Sequence, residues 1–236
     1  MHSSSRNRKS DPFLMKKILF IFLTACFFFS CEKETIVIPQ QHAGRTVLAF
    51  FWADNSLNSN LRNNIRTMMQ GLQAMKDSAA LLVYWDGEAS DISWPEPCIV
   101  EYVTNGQGRI NSMSKEAVNA MIADQDMSVH DLISIGNIRK KYSPQTSTEK
   151  TVMQTVIGDM MSVYPSESYG IIFGSHGSGW LPTITGTRSI GQDGGRYSSD
   201  TALIPELAEV LRTVNPQKFD FVLFDACMMG LSLIHI

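Results

Sequence analysis

Two residues of this sequence have the type and the setting for nucleophilic chemistry. His176 lies in "YGIIFGSHGSGW", Tyr169 to Trp180, and Cys227 lies in "FVLFDACMMG", Phe221 to Gly230. Each follows a short apolar run of the kind that forms a buried strand, so each is delivered where a strand ends. An imidazole there can hold or remove a proton near neutral pH, and a thiolate attacks carbonyl carbon. The two functions need each other, because a thiol becomes a strong nucleophile when an adjacent base takes its proton. Gly177 has no side chain to block approach, so its backbone N–H and that of Cys227 are candidates for an oxyanion hole. Taken singly, each residue has a plainer reading: the histidine as a hydrogen-bonded surface residue, the cysteine as a small buried hydrophobe. Their joint occurrence at two strand ends favours the pair.

The strands that must position them are apolar throughout rather than alternating: Thr46 to Asp54, Ala79 to Gly87, Cys98 to Val103, Tyr169 to Gly177 and Phe219 to Cys227. Such runs fit a sheet covered on both faces. Between them, helical spacing appears over Leu57 to Lys76, Lys115 to Ala123, Thr148 to Tyr164 and Thr201 to Val214. Glu116 and the run Ser147 to Glu149 suit first turns of helices. Strands alternating with helices predict an α/β fold, a three-layer αβα sandwich with a mainly parallel sheet, whose sites form at the carboxyl ends of strands. Trp52, Trp85 and Trp180 also fall at strand ends, where they either pack or line a cleft.

Taken together, "FGSHGSGW" and "FDACMMG" resemble the clostripain family of cysteine peptidases, relatives of the caspases, legumains and gingipains. The resemblance covers Arg45 to Gly230. It rests on both motifs in that order, about 50 residues apart, as in the caspase signature, although Asp225 stands where that signature has glutamine. It implies a caspase-like fold, Cys227 as nucleophile, His176 as acid/base, and cleavage of peptides or proteins after arginine or lysine. Asp225, two residues before the nucleophile, is then a candidate for an acidic S1 pocket that pairs a guanidinium; the plainer reading is a cap on the following turn. Relatives are often matured by their own cut between the two site residues. Arg188 and Arg196, in "TGTRSIGQDGGRYSS", are the candidates, in a loop expected to be exposed and mobile. Arg212 sits on a helix pattern and Lys218 lies against the strand of Cys227, which makes both poorer ones. The competing reading is a surface lipoprotein that uses the fold to bind peptides or a partner without cutting.

Other chemistry finds little support. The glycines of "HGSG" are followed by no P-loop lysine, and "GQDGG", Gly191 to Gly195, offers one aspartate, so no metal and no cofactor is assigned. With 20 basic and 23 acidic residues mixed along 236, net charge -3, nothing points to nucleic acid. The 44% hydrophobic content suits one sizeable α/β core.

The two ends read differently from the middle. Residues 15–31, "MKKILFIFLTACFFFSC", have the lysines, apolar stretch and small residue before Cys31 of a bacterial lipoprotein signal. The expected lipidation site is Cys31, with Cys26 in "LTAC" as its rival, because cutting at Cys26 leaves "FFFS" on the mature chain. The protein is therefore expected to be exported and lipid-anchored at the bacterial envelope or cell surface. Residues 1–14 are polar and are expected to be upstream readthrough, and residues 32–44 a polar tether. The peptidase domain is expected over 45–230 and incomplete, since the resemblance implies further helices and strands. Residues 231–236, "LSLIHI", match the translation of a sequencing adaptor and are expected to be an artefact tail. Removing Cys26 and Cys31 leaves Cys98 and Cys227, too few for a disulfide framework.

Overall fold

The computed structural model describes residues 43–87, 96–124, 126–178, 189–194, 200–217 and 219–227. Every apolar run becomes a strand. In chain order the elements are β1 (Ala43–Ala53), α1 (Asn58–Ala74), β2 (Ala79–Gly87), β3 (Cys98–Thr104), α2 (Lys115–Ala123), α3 (Val129–Ile135) and β4 (Asn137–Lys141). They continue as α4 (Lys150–Val163), β5 (Ser166–Gly174), β6 (Ser189–Asp193), β7 (Asp200–Leu203), α5 (Ile204–Val214) and β8 (Phe221–Asp225).

Six strands form one sheet in the order β4-β3-β2-β1-β5-β8, with β6 and β7 as a separate antiparallel pair. β1 is parallel to β2 and to β5, and β5 is parallel to β8. Successive side chains of each strand go to opposite faces. Ala49, Phe51, Leu81, Val83, Val100 and Tyr102 pack with the inner faces of α1, α2 and α3. Leu48, Phe50, Trp52, Leu82, Tyr84, Ile171 and Phe173 pack with α4 and α5. The result is the expected three-layer αβα sandwich. It also explains the uniform hydrophobicity of β1 and β2, since both faces of these central strands are buried.

Several local expectations are corrected. β3 and β4 run antiparallel to their neighbours. Only residues 88–97 separate β2 from β3, fewer than a parallel crossover requires. The segment after Arg188 is not wholly an exposed loop: Ser189–Asp193 is strand β6, and Ile190 is fully buried in the α4/α5 core. Gly191 makes that approach possible. Its φ is +84°, and a Cβ there would lie 2.9 Å from the Trp52 ring. The helix expected from Thr201 begins at Ile204, after β7, with Pro205 in its first turn. Ser147 is not in a helical first turn but buried ahead of α4, where its carbonyl accepts from Trp52 Nε1 at 2.8 Å. Trp52 and Trp85 are buried packing residues; Trp180 lies outside the described residues.

Candidate active site

The sheet register brings the two sequence motifs together. Gly174 of β5 pairs with Asp225 of β8, and the Ser175 N–H donates to the Asp225 carbonyl at 3.3 Å. His176 and Cys227 each stand two residues beyond that pair, so they leave adjacent parallel strands at the same level. Cys227 is exposed and His176 half-buried, whereas Cys98 is buried within β3. Gly174 lets this edge close down on α1. A Cβ at that position would come within 2.6 Å of the Phe51 ring and 2.8 Å of a Leu61 methyl.

The turn after His176 is held from the other side by β6. Gly191 N–H donates to the His176 carbonyl at 2.9 Å, and Ser178 N–H donates to the Ser189 carbonyl at 3.1 Å. These two bonds flank the antiparallel pair Gly177–Ile190. Gly177 is thus the non-hydrogen-bonded member of the ladder, and its own N–H points away from β6.

Asp225 is exposed at the end of β8, and its Oδ2 accepts a hydrogen bond from Asn64 Nδ2 on α1. Sequence reasoning did not find Asn64, nor the polar triplet Asp54-Asn55-Ser56 that ends β1. Ser56 Oγ lies 2.9 Å from His176 Nε2. Asn55 is 8% exposed and its Nδ2 donates to the Trp52 carbonyl at 2.7 Å, Ser175 Oγ at 3.1 Å and the Gln192 carbonyl at 3.0 Å. The signal was present: three polar residues directly after a buried strand, at the sheet edge that also carries His176 and Cys227.

A second polar group sits at the carboxyl ends of β1 and β2. Asp54, Asp86, Asp193 and Asp200 line a cavity of about 120 Å³. Burial, reinforced by the Asp193 carboxylate, pushes Asp86 up to about 7, and burial pushes Asp193 up to about 6. Ser147 answers both, its Oγ–H donating to Asp86 and its N–H to Asp193. Among the described residues no group of three or more His, Cys, Asp or Glu is arranged to hold a metal ion. Arg188, Arg196 and Cys31 lie outside the described residues. No described helix is long and apolar enough to cross a membrane.

The same architecture occurs in solved structures. A secreted C11 cysteine protease from Bacteroides thetaiotaomicron, in complex with an irreversible peptide inhibitor, is 29% identical with a TM-score of 0.53, matching 78% of this chain. An inactive zymogen C11 protease from Parabacteroides distasonis is 27% identical with a TM-score of 0.53, matching 81% of it. A second secreted C11 protease of Bacteroides thetaiotaomicron, 18% identical with a TM-score of 0.55 over 79% of this chain and 47% of its own, shares the fold. This chain spans 43% and 44% of the length of the first two. No curated protein matches it. The family model described as the clostripain family matches residues 49–234, taking in both motifs, the end of β1 and the other five strands of the main sheet, and the chain belongs to the clostripain family.

Proposed function

We propose that this chain carries the catalytic portion of an exported cysteine endopeptidase that cleaves after arginine or lysine, with Cys227 as nucleophile and His176 as acid/base. The observation that carries the reading is the register of β5 and β8, which releases an imidazole and an exposed thiol from neighbouring strands at one level. In the first step the thiol proton passes to the imidazole and the sulfur lone pair attacks the scissile carbonyl. The S–C bond forms as the carbonyl π electrons move to oxygen. The N–H groups of Gly177 and Cys227 receive that oxyanion, a role supported by the outward direction of the Gly177 N–H. Collapse breaks the C–N bond, and the imidazolium gives its proton to the departing amine. Water then loses a proton to the imidazole, attacks the thioester and returns the thiol. The chemistry needs no cofactor.

Asp225 is assigned to S1. Its carboxylate is exposed two residues before the thiol, and the Asn64 bond engages one oxygen, leaving the other for a substrate guanidinium or ammonium. Self-processing is assigned to Arg196 rather than Arg188. A cut after Arg188 requires residues from Ser189 onward in the cleft, and those residues are the buried strand β6, whereas Arg196 falls between β6 and β7 in the sequence. Export follows from the signal segment ending at Cys31, where a lipid would anchor the protein at the envelope. The Bacteroides thetaiotaomicron relative is itself described as secreted.

The test is labelling of the full-length protein by a peptidyl chloromethyl ketone with a P1 arginine. Stoichiometric labelling at Cys227, absent from Cys227→Ala, is expected. Labelling that persists in Cys227→Ala rejects the assignment.

A further inference from the structure

The contact between Ser56 and His176 is given no work by the steps above. Ser56 Oγ stands 2.9 Å from Nε2, one of two ring nitrogens, and the hydrogen bond on one nitrogen decides which of them carries the proton. We propose that Ser56 is a positioning residue that fixes the orientation and tautomer of the His176 ring, from a turn that Asn55 anchors. The inference rests on the reading of His176 as the acid/base of a thiol nucleophile.

The hydroxyl can accept from Nε2–H in both the neutral ring and the imidazolium, whereas it can donate only to the neutral ring. Acceptance is therefore the arrangement that survives the proton transfer. With Nε2–H directed at Ser56, Nδ1 keeps its lone pair and takes the thiol proton. The S–H bond breaks, its electron pair stays on sulfur, and the imidazolium remains bonded to Oγ.

A lone exposed serine would hold a ring poorly, but its backbone is fixed. Asn55 Oδ1 accepts the Leu57 N–H at 2.9 Å, and the Asn55 carbonyl accepts the Asn58 N–H at 3.2 Å, so Ser56 lies inside a closed turn. The same Asn55 amide donates to Ser175 Oγ, whose oxygen also accepts the Gln192 N–H at 3.0 Å. Consecutive residues after β1, Asn55 and Ser56, thus meet consecutive residues after β5, Ser175 and His176. One buried amide is the common reference for both sides of the Ser56–His176 contact, so the two loops keep their spacing.

The experiment compares Ser56→Ala, Ser56→Thr and Cys227→Ala in the full-length protein with an arginyl amide substrate. Ser56→Ala is expected to lower kcat roughly 10- to 100-fold, part of what acid/base catalysis contributes. KM should stay within about twofold and the melting temperature unchanged, because the side chain is exposed. Ser56→Thr, which keeps the hydroxyl, should recover most of the rate. Long-range ¹H–¹⁵N spectra of histidine-labelled protein should show the neutral His176 ring as the Nε2–H tautomer, and a mixture in Ser56→Ala. Wild-type kcat in Ser56→Ala, an equal loss in Ser56→Thr, a loss confined to KM, or an Nδ1–H tautomer in the wild type each overturns the role of Ser56. Full activity in Cys227→Ala instead overturns the underlying reading, and this inference with it.

Discussion

At the scale of single residues, burial separates the two described cysteines. Cys98 is enclosed between sheet and helices and behaves as a small core residue, while Cys227 is exposed at the end of β8. Brief treatment of the native protein with iodoacetamide should therefore modify Cys227 and leave Cys98 intact by mass spectrometry. Modification of Cys98 at a similar rate would mean that the edge strand β4 opens away from β3. In the proposed mechanism the thiol and the imidazole act as a unit. Cys227→Ala, His176→Ala and the double variant should lose activity to about the same residual level, rather than multiply their effects. Asp225→Asn keeps the shape but removes the charge. A charge-assisted bond contributes about 1.5–3 kcal/mol, so kcat/KM for arginyl substrates should fall roughly 10- to 100-fold. An equal fall for an uncharged P1 substrate would argue that Asp225 only shapes the turn.

At the scale of elements, the strand ends carry constraints that the residues alone do not reveal. Gly174 lies where β5 meets Phe51 and Leu61, both buried, so Gly174→Ala must displace a core ring or methyl. It should cost about 1–3 kcal/mol, read as a lower urea midpoint with an unchanged slope. Because His176 is two residues on, activity should fall with it. The acidic cavity makes the opposite kind of demand. Asp86 is held up to about 7 by burial and by Asp193, so between its ordinary range and that value the folded chain keeps a proton that the unfolded chain has released. Stability therefore falls as pH rises through that window. Asp86→Asn, which removes the charge and keeps an oxygen to accept from Ser147, should raise the melting temperature at pH 8 and change it little at pH 4. A variant no more stable at pH 8 than wild type would show that the buried charge is compensated.

At the scale of the whole molecule, β8 is the edge of the main sheet among the described residues, and its α1-side face is only partly covered. Phe221 is 40% and Leu223 47% exposed, whereas at the equivalent positions of β1 Val47 is partly buried and Ala49 fully enclosed. Asp225 ends that strand and Cys227 follows two residues later, so whatever packs beside β8 also shapes the approach to the thiol. The proposed self-processing is a whole-chain event as well. N-terminal sequencing after incubation of the full-length protein should find a fragment beginning at Tyr197, absent in Cys227→Ala. A fragment beginning at Ser189 would require β6 to leave the core. Export is read in the same way: palmitate labelling should vanish in Cys31→Ser, and its persistence there with loss in Cys26→Ser moves the lipid to Cys26.

The sequence by itself determined the layered α/β class and the pairing of "FGSHGSGW" with "FDACMMG". Both depend on local signals: apolar runs long enough to be strands, helical spacing between them, and glycine where the chain turns out of the sheet. It did not determine the direction of β3, the burial of β6 or the start of α5. Each of these is settled by pairing or packing: Trp85 opposite Cys98 across a short connection, Ile190 in the α4/α5 core above Trp52, and Leu203 opposite Ser189, which keeps the chain in β7 up to the start of α5. The histidine and the cysteine were legible because their motifs are contiguous. Asn55, Ser56 and Asn64 were not, because a single polar side chain has no local signature of what it will touch. Only the register of β1, β5 and β8 decided that Ser56 would stand beside His176, and only the seating of α1 on that sheet put Asn64 beside Asp225, contacts between residues 120 and 161 positions apart.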